Sequence, residues 1–189
     1  FMGKMGYISG ALDYSGFKSL DVVVEAVVEN MDVKKKVLQE TENYISDQCI
    51  FASNTSSLSI TDMQSVAKHP ERVAGFHFFN PVSRMPLIEV IAGEKTSPQT
   101  VASLFELAKK LGKTPIVVKD GPGFLVNRLL LPYMNEALFL FEEGVSVERI
   151  DKVMLEFGMP MGPMRLVDEV GIDVAAKVAK ILNNAFGAR

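Results

Sequence analysis

The residues best equipped for chemistry sit on or just past apolar runs. Gly75-Phe76-His77-Phe78-Phe79-Asn80-Pro81 sets one of the two histidines among aromatics. A histidine so surrounded is most often a satisfied core residue. The next apolar run, Leu87-Ile88-Glu89-Val90-Ile91, carries a carboxylate among aliphatics, which is costly to bury unless it is paired. If the two runs are antiparallel strands about a connection centred on Ser83, His77 and Glu89 fall six residues on either side and become cross-strand neighbours. A buried carboxylate beside an imidazole fixes its tautomer and stabilises the imidazolium, as a histidine general base requires. The pair moves the balance towards a catalytic histidine.

Three other segments admit two readings each. Val22-Val23-Val24-Glu25-Ala26-Val27-Val28-Glu29-Asn30 is a valine-rich run that Glu25 and Glu29 interrupt or end. Its ordinary reading is a buried strand whose terminal carboxylate meets solvent. Lys34, Lys35 and Lys36 follow in the first turn of a helix, against the positive end of its macrodipole, and either serve an anionic ligand or are simply solvated. Ala52-Ser53-Asn54-Thr55-Ser56-Ser57-Leu58 is either a turn that caps a helix through Ser57 or Ser59, or a set of uncharged donors and acceptors for a carboxamide or a substrate oxygen. Lys119-Asp120-Gly121-Pro122-Gly123-Phe124-Leu125-Val126-Asn127-Arg128 is a turn and helix start, with Asn127 either exposed or reaching back from the first turn over a cleft. A dinucleotide site normally opens with a strand, G-x-G-x-x-G and a helix, because the glycines let a pyrophosphate approach backbone N–H groups. No stretch has that spacing; Gly3 and Gly6 read as a loop entering a strand.

The elements that must position these residues alternate. Leu20–Val28 has the near-continuous apolar pattern of a strand covered on both faces. A helix from Asp32, capped by that residue, places Val33, Val37, Leu38, Thr41, Tyr44 and Ile45 inward and the three lysines outward. Cys49–Ser53 is a strand, Ser59–Ala67 a helix, and Arg72–Phe79 and Leu87–Ala92 are strands. Ser97-Pro98 starts a helix whose buried face is Val101, Leu104, Phe105, Ala108 and Leu111, with Gly112 as its stop; Thr114–Val118 is a further strand. Helices near Phe124–Glu143, Ser146–Phe157 and Asp173–Phe186 follow, so Lys119–Gly123 is the expected domain boundary. An α/β segment (1–120) followed by an all-α segment (121–189) suggests a Rossmann-like nucleotide-binding layer and a separate substrate-covering or dimerising layer. The expected macromolecular partner is therefore a second copy or a partner subunit, met through the helices.

Composition narrows the function classes. With 189 residues, 48% hydrophobic and 23% charged, the chain builds one ordinary core or two small ones. The net charge of −3, without a basic stripe interleaved with aromatics, argues against a nucleic-acid partner. No run of about 18 apolar residues spans a bilayer, and Phe1 onward shows no signal-peptide pattern. A cytoplasmic protein is expected, any leader before Phe1 lying beyond this sequence. Cys49 stands alone and the histidines make no cluster of metal-ligand spacing, so neither an internal disulfide nor a metal site is expected.

Taken in order, Val-Val-Glu-Ala-Val-Val-Glu-Asn, Ala-Ser-Asn-Thr-Ser-Ser, His77-Phe-Phe-Asn-Pro, Pro122-Gly-Phe-Leu-Val-Asn-Arg and Pro160-Met-Gly-Pro resemble 3-hydroxyacyl-CoA dehydrogenase over essentially the whole chain. Arg84-Met-Pro-Leu-Ile-Glu-Val, Gly112-Lys-Thr-Pro-Ile-Val-Val-Lys-Asp and Leu166-Val-Asp-Glu-Val-Gly-Ile-Asp are closer to the dehydrogenase segment of the multifunctional β-oxidation complex α-subunit. The resemblance implies NAD as cofactor and a 3-hydroxyacyl-CoA as substrate, oxidised to the 3-ketoacyl-CoA. It makes His77 the base and Glu89 the acid that orients it. Ser56 and Asn127 are implied to hold the substrate's oxygens and the catalytic geometry, with Asn80 near substrate and cofactor. Ala26, Glu29, Lys34 and Asn54, with Ser56, are implied to line the nicotinamide and its ribose.

By the same resemblance, the first strand, the glycine-rich loop and helix, the acidic residue for the adenosine ribose and a hydratase domain all precede Phe1. The expectation is a piece of a longer polypeptide, with an incomplete Rossmann-type domain, inactive and binding NAD weakly or not at all by itself, and with a sheet edge uncovered. A reading from another class is a non-catalytic scaffold whose helices mediate subunit contacts and whose α/β half is only packing. The distance between the His77 ring and the Glu89 carboxylate separates the two. Related β-hydroxyacid dehydrogenases usually rely on a lysine base, which the histidine–glutamate pair argues against by resemblance.

Overall fold

A computed structural model describes residues 6–187, and Gly3 lies outside the described residues. Among the described residues five strands make one sheet in the spatial order of the sequence: β1 (Val22–Glu25), β2 (Ile50–Ser53), β3 (Val73–Phe78), β4 (Leu87–Ala92) and β5 (Thr114–Lys119). The first three are parallel, β4 runs antiparallel to β3, and β5 is parallel to β4. Strand β3 returns directly as β4 instead of crossing over through a helix, which makes the sheet mixed. Helices α1 (Met31–Thr41), α2 (Ile60–Gln64) and α3 (Pro98–Lys110) connect the other strands. The segment Tyr7–Asp13, after Gly6, contains no strand.

Several elements differ from the sequence pattern, each for a local reason. Strand β1 is shorter than Leu20–Val28 because the Glu25 carboxylate accepts the N–H of Val27 at 2.6 Å and turns the chain out of the ladder. The α1 cap is Asn30, whose side chain accepts from Val33 N at 3.1 Å; Asp32 lies one residue inside the helix. The buried face of α1 is Lys34, Leu38 and Thr41, so Lys34 is inside while Val33 is exposed. The helix ends at Thr41, and Tyr44 stacks on Tyr14 with ring centroids 4.4 Å apart. Helix α3 follows the pattern more closely. Ser97 accepts from Thr100 N at 3.1 Å, Pro98 opens the helix, and Leu104 and Ala108 are buried against Ile50, Ala52, Ala74, Phe76, Ile88 and Val90. Leu111 is exposed at the end of that helix, next to Gly112 at φ 74. A fully buried aliphatic such as Leu104 contributes about 1.5–3 kcal/mol over exposure.

Two compact units divide the chain: residues 1–55 with 60–120, and residues 56–59 with 121–189. The second is helical: α4 (Val126–Glu142), α5 (Val147–Phe157), α6 (Pro163–Val170) and α7 (Ile172–Phe186). The sequence pattern anticipates α4, α5 and α7 but not α6. The cap of α6 comes from elsewhere in the chain: the Asp151 carboxylate, on α5, accepts from Met164 N at 2.9 Å and Arg165 N at 3.0 Å. Gly162 is required there, since a Cβ would lie 2.2 Å from Asp151 Cγ. No described helix is long and apolar enough to cross a membrane.

Strand β1 is at an edge of the sheet; among the described residues no strand pairs with its outer side, and Val24 is exposed. The opposite constraint, close packing, acts at Gly75, which pairs with Ile91 across the β3–β4 ladder. A Cβ at Gly75 would meet Ile91 Cδ1 at 2.7 Å and Ile91 Cβ at 2.8 Å. Gly75→Ala is therefore expected to lower the unfolding free energy by about 1–3 kcal/mol, as measured by urea denaturation.

Candidate functional site

The β3–β4 hairpin places His77 opposite Glu89 in the register that symmetry about Ser83 demands. The Nδ1 atom of His77 lies 2.8 Å from Glu89 Oε2, with His77 5% exposed and Glu89 fully buried. Side chains alternate along a strand. Phe76, Ile88 and Val90 join the core that includes Leu104 and Ala108 of α3, so His77 and Glu89 project from the opposite face of the sheet. A charge-assisted bond to the carboxylate holds a proton on Nδ1 and leaves Nε2 as the basic nitrogen of the neutral ring. The Phe79 ring sits 4.5 Å from the imidazole, centroid to centroid. Past it, Asn80 is exposed and joined to Pro81 by a cis peptide bond. Lys113 ties down this connection by donating to the carbonyls of Val82 and Met85.

The neighbouring strand ends are held together by Asn54. Its backbone N–H donates to Glu25 O at 2.8 Å, and its Oδ1 accepts the N–H of Phe78, the residue after His77, at 2.9 Å. One residue thus ties the carboxyl ends of β1, β2 and β3. Beside it, the connection Ala26–Asn30 is exposed throughout. The Glu29 carboxylate accepts from the Thr55 hydroxyl at 2.7 Å and lies 3.5 Å from Lys34 Nζ.

Lys34 is not on the solvated side of its helix. Its ammonium, in a side chain 1% exposed, donates to Glu25 Oε1 at 2.7 Å and Val27 O at 3.2 Å. Glu25 is 4% exposed and also accepts from the Ser53 hydroxyl at 2.6 Å. In the sequence Glu25 reads only as an interruption or end of a strand, yet a carboxylate in an apolar run needs a partner, as Glu89 does. In the helical unit with residues 56–59, Asn127 Nδ2 donates to the backbone carbonyl of Ser56 at 2.8 Å. Phe124 adopts φ 51, a region that a bulky residue occupies at a cost, just before the α4 turn that carries Asn127.

Cys49 is excluded as a nucleophile. It is buried, and desolvation, with the nearby Asp21 charge, pushes its thiol up, away from the reactive thiolate. The strand ends present an exposed connection beside a fixed carboxylate able to accept hydrogen bonds, and the half-buried Asn54 with an amide N–H₂ able to donate them.

Open α/β sheets collect ligands at the carboxyl ends of their strands, where this one gathers a histidine–carboxylate pair and several polar groups. The family profile "3-hydroxyacyl-CoA dehydrogenase, NAD binding domain" matches residues 2–121, and "3-hydroxyacyl-CoA dehydrogenase, C-terminal domain" matches residues 123–189. The chain belongs to the 3-hydroxyacyl-CoA dehydrogenase family, whose members are oxidoreductases that use NAD. It is 55% identical over 182 residues to the fatty acid oxidation complex subunit alpha of Idiomarina loihiensis, covering 96% of this chain and 26% of that protein. The Shewanella loihica protein of the same name is 52% identical over 185 residues, with 98% and 26% covered. The chain therefore spans about a quarter of the length of these relatives. The crystal structure of (S)-3-hydroxybutyryl-CoA dehydrogenase from Ralstonia eutropha superposes with a TM-score of 0.91 at 43% identity, covering 98% of this chain and 66% of that one.

The hydrogen-bond geometry makes a direct prediction for the imidazole. In ¹⁵N NMR, the neutral imidazole of His77 is expected to show a protonated Nδ1 and an unprotonated Nε2. Glu89→Gln should mix or reverse the tautomers, because an amide can either donate or accept.

Proposed function

We propose that this chain carries the chemical half of an NAD-dependent oxidation of (S)-3-hydroxyacyl-CoA to 3-ketoacyl-CoA in fatty-acid β-oxidation. The observation that supports this most is the 2.8 Å contact between His77 Nδ1 and Glu89 Oε2 in a site where both side chains are buried. Family membership supplies the substrate class.

On this reading His77 Nε2 takes the proton of the 3-hydroxyl as the C3 carbon becomes a carbonyl. Bound NAD would supply the hydride acceptor for C3. The imidazolium so formed is stabilised by Glu89, whose negative charge is already in place and needs no reorganisation. The resemblance gives Ser56 and Asn127 the substrate's oxygens, and gives Asn80 a place near substrate and cofactor. It gives Ala26, Glu29, Lys34, Asn54 and Ser56 the nicotinamide and its ribose; the fixed carboxylate of Glu29 supports this for the ribose hydroxyls. Residues 1–120 form the NAD-binding portion and 121–189 the helical domain, through which a second copy or partner subunit binds. The proposed setting is the cytoplasm.

The scaffold reading predicts no functional contact between His77 and Glu89, and the hydrogen bond between them speaks against it. In the intact polypeptide, His77→Ala is expected to lower kcat for 3-hydroxyacyl-CoA oxidation by about 10²–10⁴-fold. Glu89→Gln should lower kcat with a smaller change in KM. Steady-state NADH production measures both, and a His77→Ala variant of full activity would refute the assignment.

A further inference from the structure

We infer that Glu25 is a positioning residue of the nicotinamide subsite, acting through Lys34 and the Ala26–Asn30 connection; this rests on the function proposed above. Glu25 ends β1, and its carboxylate satisfies three donors at once. Oε1 accepts from Lys34 Nζ at 2.7 Å and from Val27 N at 2.6 Å, and Oε2 accepts from the Ser53 hydroxyl at 2.6 Å. The Val27 bond turns the chain away from the sheet. The Lys34 ammonium, from the first turn of α1, then clasps the same turn from its far side through Val27 O at 3.2 Å, and approaches Glu29 at 3.5 Å.

The Ala26–Asn30 connection is exposed throughout and buries none of its own side chains. Its fixed points are therefore polar, and they begin at Glu25. A buried ion pair is a poor way to gain stability, since an apolar pair of similar volume commonly does as well or better. What the Glu25–Lys34 pair provides instead is a defined shape for an exposed strand-end loop, and an ammonium held where it orients the Glu29 carboxylate. Lys34 by itself is a long side chain with a strongly hydrated head. Glu25 keeps it inside, and so sets how Glu29 and the backbone at Ala26 meet a ligand.

The test is NADH affinity of the intact protein by fluorescence titration, well below the unfolding transition, with circular dichroism on each variant. Glu25→Gln is expected to weaken NADH binding by about tenfold or more, raising KM for NAD while KM for the acyl-CoA and kcat move little. Ser53→Ala, which deletes one bond to the same carboxylate and leaves the ion pair, should weaken NADH binding by a few-fold with the fold intact. Glu25→Gln combined with Lys34→Met should bind no worse than the weaker single variant, because the two charges act as one unit. Folded variants whose NADH affinity equals that of the unsubstituted protein, even with lowered melting temperatures, would overturn the inference and leave the proposed function standing. No NADH binding by the unsubstituted intact polypeptide would overturn both.

Discussion

A carboxylate in the middle of an aliphatic strand is expensive to bury in its charged form unless something pairs with it, and that constraint organises the sheet of this protein. Glu89 lies between Ile88 and Val90 with no exposed surface. Its partner is His77, brought opposite by a hairpin whose register also stacks Gly75 on Ile91 and Phe76 on Val90. A slip of β4 by one residue would turn Glu89 towards α3 and the apolar core and away from His77, which β3 keeps on the opposite face. Register, core packing and the candidate base therefore stand or fall together.

The same constraint recurs at the other end of the ladder. Glu25 and Lys34 are both buried, and they are stable there because each is satisfied by the other and by Ser53 and the Val27 peptide. Asn54 joins the two charged centres mechanically: its peptide N–H bonds the end of β1 and its side chain bonds the residue after His77. Polar groups at the carboxyl ends of parallel strands are where open α/β sheets collect ligands. Here these groups are cross-braced, and the bracing runs through hydrogen bonds between strand ends instead of through the apolar core.

The helical unit is assembled by a different economy of contacts. Asp151 on α5 caps α6, and Gly162 permits the approach. Asn127 reaches the Ser56 carbonyl from the first turn of α4, after a backbone at Gly123 and Phe124 held at φ 72 and 51. Family profiles and relatives run through both units, so the likeness to 3-hydroxyacyl-CoA dehydrogenases does not rest on the sheet alone.

What the sequence determined by itself was local. Apolar periodicity located the strands and most helices, Ser97-Pro98 announced α3, and the even spacing about Ser83 specified the His77–Glu89 pairing, because a hairpin's register follows from the length of its own connection. The motifs in their order identified the family. Only the tertiary structure decided that Lys34 is buried, that Glu25 is its counter-charge, that Asn54 braces three strand ends and that α6 exists. Each of these depends on groups from separate segments: Ser53 comes to Glu25 through a parallel pairing, and the cap of α6 sits on the preceding helix. Parallel neighbours are set by crossovers whose length does not encode register, and a side chain capping another helix leaves no periodic trace. Periodicity would have put Lys34 outside, since it records side-chain polarity and not the partner that makes burial affordable.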